Sequence, residues 1–349
     1  MRTIRSGLIP LGLACGVLQG ALAQGISPIS PYETKDFAVS ESKVDRVVFE
    51  AQRKAGIQTA LPCSDEVFVR RVFLDLIGLP PDAKEAQAFL ENKRPDKRAE
   101  LINQLLERPA YTDYWTMRWC DVLRVKSEFP INLWPNAVQA YQKWIRDCVS
   151  SNLPLNRMAR ETLTASGSNF RVPQVNFLRA VQGRGTQPLA AAVALTWMGT
   201  RIEKWPADRR AGMETLFSKI IYKPTAEWKE EIVCLDPAPG GPLDAVLPDG
   251  RKLRIQPGKD PRLEFADWLL APNNRWFARA AVNRYWAWIF GRGIVHEADD
   301  IHPGNPPSIP GLLDHLEKEF VAGGYDPKTL LRIILNSRVY QLSPVPRSD

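Results

Sequence analysis

Residues 276–293 read Trp276-Phe277-Ala278-Arg279-Ala280-Ala281-Val282-Asn283-Arg284-Tyr285-Trp286-Ala287-Trp288-Ile289-Phe290-Gly291-Arg292-Gly293. Aromatic and aliphatic side chains crowd this run, and basic or amide side chains break it at a helical interval. Arg275, Arg279 and Asn283 stand four apart, so on a helix they stack into one polar stripe. Trp276, Phe277, Ala280, Ala281, Ile289 and Phe290 fill most of the remaining circumference. A helix apolar on nearly every side is buried on nearly every side. Its polar stripe then needs partners, because a buried unpaired charge costs on the order of several kcal/mol. Asp299 and Asp300, just beyond the Gly291-Arg292-Gly293 stop, are the expected partners of Arg279 or Arg284, pinning the following loop across the helix.

Other helices are punctuated in the same way, and 29 prolines give many of them firm stops. Ser40 and Ser64 are placed to cap helices, Asp82 and Glu85 have capping-box spacing, and Ser308 and Asp326-Pro327 open the last two helices. Trp115 and Trp119 share one face of a second aromatic helix within 111–125. The period changes at Glu231-Ile232-Val233-Cys234-Leu235, and Asp249-Gly250 is a tight-turn signal. The predicted fold is mainly α, a multi-helix orthogonal bundle with a small antiparallel β-hairpin insertion near 231–256. The expected organisation is a signal peptide (1–23), a linker (24–39), an N-terminal helical domain (40–228), a β insertion (229–260), a C-terminal helical domain (261–343) and a tail (344–349).

Arg2 and Arg5, an apolar stretch and Ala21-Leu22-Ala23 form a secretory signal pattern. The expectation is an exported protein of the periplasm or cell envelope, without a transmembrane segment once the signal is removed. Loss of the two arginines would take the net charge from +7 to +5. That argues against nucleic acid and keeps polysaccharide or an acidic protein face as partners. Cys63, Cys120, Cys148 and Cys234 would meet oxidising conditions, but their wide spacing suggests buried thiols with at most one bridge.

Catalytic signatures are sparse. Ser168 has no G-x-S-x-G context, and no histidine precedes His296. His296, Asp299 and His302 are the weak candidates for a metal site, and otherwise no metal or cofactor is expected. Arg71 with Asp75, and Asp121 with Arg124, have the spacing of structural ion pairs, and Arg279 is grouped with them. A ligand pocket, if present, is expected where Asn169 and Arg171 meet Asn283, Arg284, Asp299 and Asp300.

Two long motifs carry a resemblance. Arg70–Pro81 (R-R-V-F-L-D-L-I-G-L-P-P), followed by 111–124 (Y-T-D-Y-W-T-M-R-W-C-D-V-L-R), resembles a domain family of unknown function common in planctomycete-type exported proteins. Phe265–Val295, the Asp299-Asp300 pair, 305–314 (N-P-P-S-I-P-G-L-L-D) and 336–343 (N-S-R-V-Y-Q-L-S) resemble its usual downstream companion. These are the domain-of-unknown-function families 1549 and 1553. The resemblance implies a mainly helical, cytochrome-associated exported protein with no catalytic residues to carry over. The chain has no C-x-x-C-H for haem attachment and looks like a compact version of the pair. The leading functional reading is therefore an envelope binding or accessory module, associated with a c-type cytochrome, a polysaccharide or another envelope protein. The alternative is a metal-assisted hydrolase or glycan-active enzyme using the 296–302 loop.

Overall fold

Helix ends are set by local chemistry. In the computed structural model, which describes residues 28–128 and 133–345, α1 (Lys43–Lys54) starts at Ser42, whose hydroxyl accepts from the Asp45 amide while Asp45 bonds back to Ser42. The cap is thus two residues beyond the expected Ser40. The proposed signal segment lies outside the described residues. Ser64 caps α2 (Asp65–Ile77), which ends on Gly78 at φ +70°. Asp82 and Glu85 form a reciprocal capping box at the start of α3 (Ala83–Glu91). Then follow α4 (Lys97–Leu106), α5 (Pro109–Val122), α6 (Pro135–Ser150) and α7 (Leu155–Thr164).

The stretch 165–182 is more ordered than a loop. It holds the two-residue strand β1 (Gly167–Ser168), one 3-10 turn and the short α8 (Asn176–Arg179). Helix α9 (Thr186–Val193) runs into a wider π turn at Ala194–Met198, and α10 (Ala207–Leu216) follows. Strand β2 (Ile220–Pro224) follows close behind it. It pairs antiparallel with β3 (Glu231–Leu235), in the register Pro224↔Glu231, and β1 joins the other edge of β3. The Asp249-Gly250 turn joins a separate hairpin, β4 (Leu243–Val246) with β5 (Lys252–Ile255). The β part is therefore small and antiparallel as predicted, but it is two sheets, and it draws in Gly167–Ser168 and Ile220–Pro224 from before 231.

After α11 (Pro261–Leu269) comes α12 (Arg275–Phe290), ended by Gly291 at φ +73°, then α13 (Pro310–Ala322) and α14 (Pro327–Leu335). Ile309 rather than Ser308 holds the cap position of α13. The Ser308 hydroxyl instead donates to the Ile294 carbonyl at 3.0 Å.

The two aromatic helices meet in the core, as their near-complete apolar circumference demands. Trp115 stacks on Tyr285 at 5.1 Å, Trp119 stacks on Trp197 at 5.9 Å, and the Trp119 indole N–H donates to the Tyr285 hydroxyl at 3.2 Å. Burying an aromatic ring of this kind stabilises the fold by about 2–3 kcal/mol. Elements from both ends of the chain share this core: α12 packs on the π turn, α13 on α1, α14 on α4 and α11 on α7.

Arg71 and Asp75 do not serve one another as an isolated pair. Both are engaged by the C-terminal segment: Arg71 donates to the carbonyls of Tyr340 (2.6 Å) and Leu342 (2.9 Å), while Asp75 accepts from the Tyr340 hydroxyl (2.8 Å). Burial pushes the Asp75 carboxyl above its ordinary value. Asp121 and Arg124 also part. Arg124, at φ +59°, donates to the Thr196 hydroxyl at 3.0 Å, while Asp121 faces solvent.

Candidate functional site

Arg275 and Arg279 lie on one face of α12, four residues apart, but their partners are on α13. Arg275 contacts Glu317 at 2.9 Å and Asp314 at 2.5 Å; Arg279 contacts the same two carboxylates, with its Nε 2.9 Å from Glu317. Asp314 and Glu317 are themselves three apart, so two facing helices clasp through four charges. The expected meeting of Arg279 with Asp299 or Asp300 does not occur.

Asn283 and Arg284 hold the loop that follows the helix. Asn283 is fully buried, donating to the Val295 and Ala298 carbonyls (2.9 and 3.1 Å) and accepting from the Val295 amide (2.8 Å). Arg284, also buried, donates to the Thr196 and Leu195 carbonyls of the π turn (2.8 and 3.2 Å) and meets Asp299 at 2.6 Å. The wider π turn leaves those carbonyls pointing at the guanidinium, whose forked donors suit several acceptors at once.

Asp300 turns the other way, to Lys204 at 2.7 Å. This hydrogen bond is the main cause holding its carboxyl below the ordinary value. His302 lies 3.5 Å from Asp300 through Nε2, and its Nδ1 accepts from the Gly304 amide. The neighbouring Ile301 amide donates to the Gly199 carbonyl at 2.8 Å, closing the loop onto the end of the π turn.

Between this loop and α12 opens a cavity of about 350 Å³. Its walls are Trp276, Ile301 and the prolines 303, 306 and 307, with Arg275, Arg279 and His302 at its edge. The metal candidates separate around it. Asp299 is taken by Arg284, His302 faces Asp300, and His296 lies 3.2 Å from Glu297. His315 is buried on α13, where burial lowers its pKa. Among the described residues no group of three or more His, Cys, Asp or Glu is placed to hold a metal ion.

Asn169 and Arg171 belong to different surroundings. Asn169 is buried, accepting from the Glu231 amide (2.9 Å) and donating to the Lys229 carbonyl (3.4 Å). Arg171 is 76% exposed, with Glu227 and Glu230 at 3.7 and 3.9 Å. They flank the turn that joins β2 to β3. Here Glu230 accepts hydrogen bonds from the Ser168 and Thr225 hydroxyls, and the Thr225 amide donates to the Glu230 carbonyl. The turn projects Trp228, 67% exposed, edge-on to Trp134 at 5.0 Å. Lys229 lies 4.5 Å from the Trp134 ring and 5.6 Å from that of Trp228. A cleft of about 440 Å³ opens beside them, lined by Arg179, Arg184, Glu227 and Glu231 among others.

Comparison with known families decides what carries these features. The model PSCyt2, described as a protein of unknown function (DUF1549), matches residues 43–203. PSD1, described as a protein of unknown function (DUF1553), matches residues 261–349. The chain belongs to this domain pair. No curated protein and no solved structure matches it.

In this PSCyt2–PSD1 pair, Arg284 comes from the second matched segment and grips carbonyls of the first. The pinned loop is therefore also a join between the two. Trp228 and Lys229 fall in the segment 204–260, which neither model matches. Their signal was present locally: Glu227-Trp228-Lys229-Glu230-Glu231 gives the indole no apolar neighbour to bury against.

Proposed function

We propose that the chain is a non-catalytic accessory module of the cell envelope that docks a partner protein at the cavity beside α12. The observation that carries this reading is the cavity itself, a 350 Å³ apolar concavity with arginines at its edge. Tryptophan and arginine are the side chains most often found at the energetic centre of protein interfaces. The walls are fixed in advance, because Asn283, Arg284 and the Ile301 amide tie the loop down, and a preformed surface loses less entropy on binding.

Beside the cavity, Arg275 and Arg279 pair with Asp314 and Glu317, while Arg201 and Lys204 share the one carboxylate of Asp300. A matching partner presents an apolar side chain flanked by carboxylates. The family resemblance makes an exported c-type cytochrome the first such partner to seek, and the signal pattern at the N-terminus supports export. Among the described residues, no helix is long and apolar enough to cross a membrane.

The test is affinity capture of the tagged chain from Gln24 onward out of an envelope extract, with haem staining and mass spectrometry. Pro306→Arg, which blocks the exposed rim, serves as the paired control. The reading stands if a particular protein follows the wild type and is lost from the variant. It fails if the captured set ignores Pro306→Arg, or if the purified protein alone turns over a substrate.

A further inference from the structure

We infer that the face around the β2–β3 turn, with Trp228 at its tip and the cleft beside it, is a second binding site, built for an acidic polysaccharide, a chain of sugar rings carrying carboxylates. It is independent of the cavity beside α12 and uses none of its residues. A tryptophan 67% exposed at the tip of a turn leaves most of a large apolar surface open beyond its edge contact with Trp134. Sugar rings offer what such a surface takes: an apolar C–H face on one side and hydroxyls around the edge. Because Glu230 is bonded to Ser168 and Thr225, the turn that carries the indole is held before any ligand arrives.

Charge selects the acidic class. Glu231 is already occupied by Arg179 (2.9 Å) and Arg184 (2.6 Å), and both Glu230 oxygens accept hydroxyl donors. Lys229 is held over the Trp134 and Trp228 rings, and Arg171 reaches its carboxylates only at 3.7 and 3.9 Å. Four cations, Arg171, Arg179, Arg184 and Lys229, thus face the three carboxylates of Glu227, Glu230 and Glu231, which leaves one positive charge for a ligand carboxylate, with Lys229 over the rings placed to meet it. With Lys229 laid over the rings, a sugar on the open face of Trp228 brings a ring carboxylate within reach of its ammonium. The glutamate and arginine side chains of the cleft suit the hydroxyls. An acidic peptide would satisfy the cations but would leave the indole without a flat partner.

The experiment is affinity electrophoresis of the full chain through gels containing polygalacturonate, dextran or polyglutamate. The wild type is expected to be retarded by polygalacturonate and to pass the other two freely. Trp228→Ala should weaken that retardation about tenfold. Lys229→Gln should weaken it several-fold and flatten its dependence on salt. Both positions are exposed, so each variant should keep the wild-type melting temperature, which is checked in parallel. Equal retardation by dextran would overturn the acidic assignment, and retardation by polyglutamate instead would make this an acidic-peptide site. No retardation by polygalacturonate, or retardation unchanged in Trp228→Ala, would remove the site altogether. None of these results bears on capture at the Pro306 rim.

Discussion

Arg284 meets Asp299 at 2.6 Å while its other donors bind the carbonyls of Leu195 and Thr196, so one buried guanidinium ties together the π turn, α12 and the loop beyond it. Its partners are not equivalent. Arg284 is only 5% exposed, whereas the Asp299 side chain is 42% exposed and can recover water if the arginine is lost. Truncating the arginine strands two carbonyls and opens a void, and truncating the aspartate strands a buried cation that keeps its carbonyl acceptors. Arg284→Ala should therefore cost about 3–4 kcal/mol and Asp299→Ala about 1–2 kcal/mol in urea unfolding. Equal losses would mean that the ion pair, not the carbonyl grip, dominates.

The Asp300 contact with Lys204 makes the far side of the loop sensitive to acid. The Lys204 hydrogen bond holds its carboxyl below the ordinary carboxylate range, so the folded state binds this proton less readily than the unfolded state. Stability from the contact is present above the ordinary carboxylate range and is lost as pH falls through the lowered value. The Ile301 amide, bonded to Gly199 beside it, reports the change by hydrogen exchange. Its protection, corrected for intrinsic rates, should fall as the solution is taken from pH 5 to below about 4. Asp300→Asn should remove most of that slope. An identical slope in the variant would assign the acid effect elsewhere.

Burial governs the cysteines. All four in the described residues are free thiols, and burial pushes both Cys120 and Cys148 up to about 12. The reactive thiolate is therefore scarce at neutral pH. In the native chain from Gln24 onward, iodoacetamide at pH 8 should modify Cys120 and Cys148 slowly. In denaturant without reductant, mass spectrometry should count four additions. Two would show a disulfide in the isolated protein.

How much of this could be read in advance depended on the range of the interaction. Helix ends were legible wherever the signal was local: Ser64 and the Asp82–Glu85 box both act within a turn of the residues they cap. The buried character of α12 was legible for the same reason, since periodicity reports exposure directly. Periodicity also showed that Arg279 needed a partner, but not which one. The nearer Asp299-Asp300 pair is the expected partner, whereas the pairing is made by Asp314 and Glu317, three apart on the next helix. Strand β2 was missed because Ile220–Pro224 is short and ends in proline, and its identity rests on pairing with β3. The Trp134–Trp228 contact joins residues far apart in the chain, and nothing local pairs them.

Gly212 offers the sharpest test of packing, because no unusual backbone angle explains a glycine there. It lies inside α10, where glycine costs about 1 kcal/mol relative to alanine. A Cβ at this position would sit 2.6 Å from the Val246 amide nitrogen and closer still to its carbonyl oxygen. Backbone cannot swing aside as a side-chain tip does, so α10 would have to move off β4. Gly212→Ala should therefore lower stability by about 3 kcal/mol despite the better helix propensity. Replacement of the exposed neighbour, Ala211→Gly, should cost only about 1 kcal/mol. If thermal unfolding instead finds Gly212→Ala the more stable protein, α10 does not approach β4 this closely.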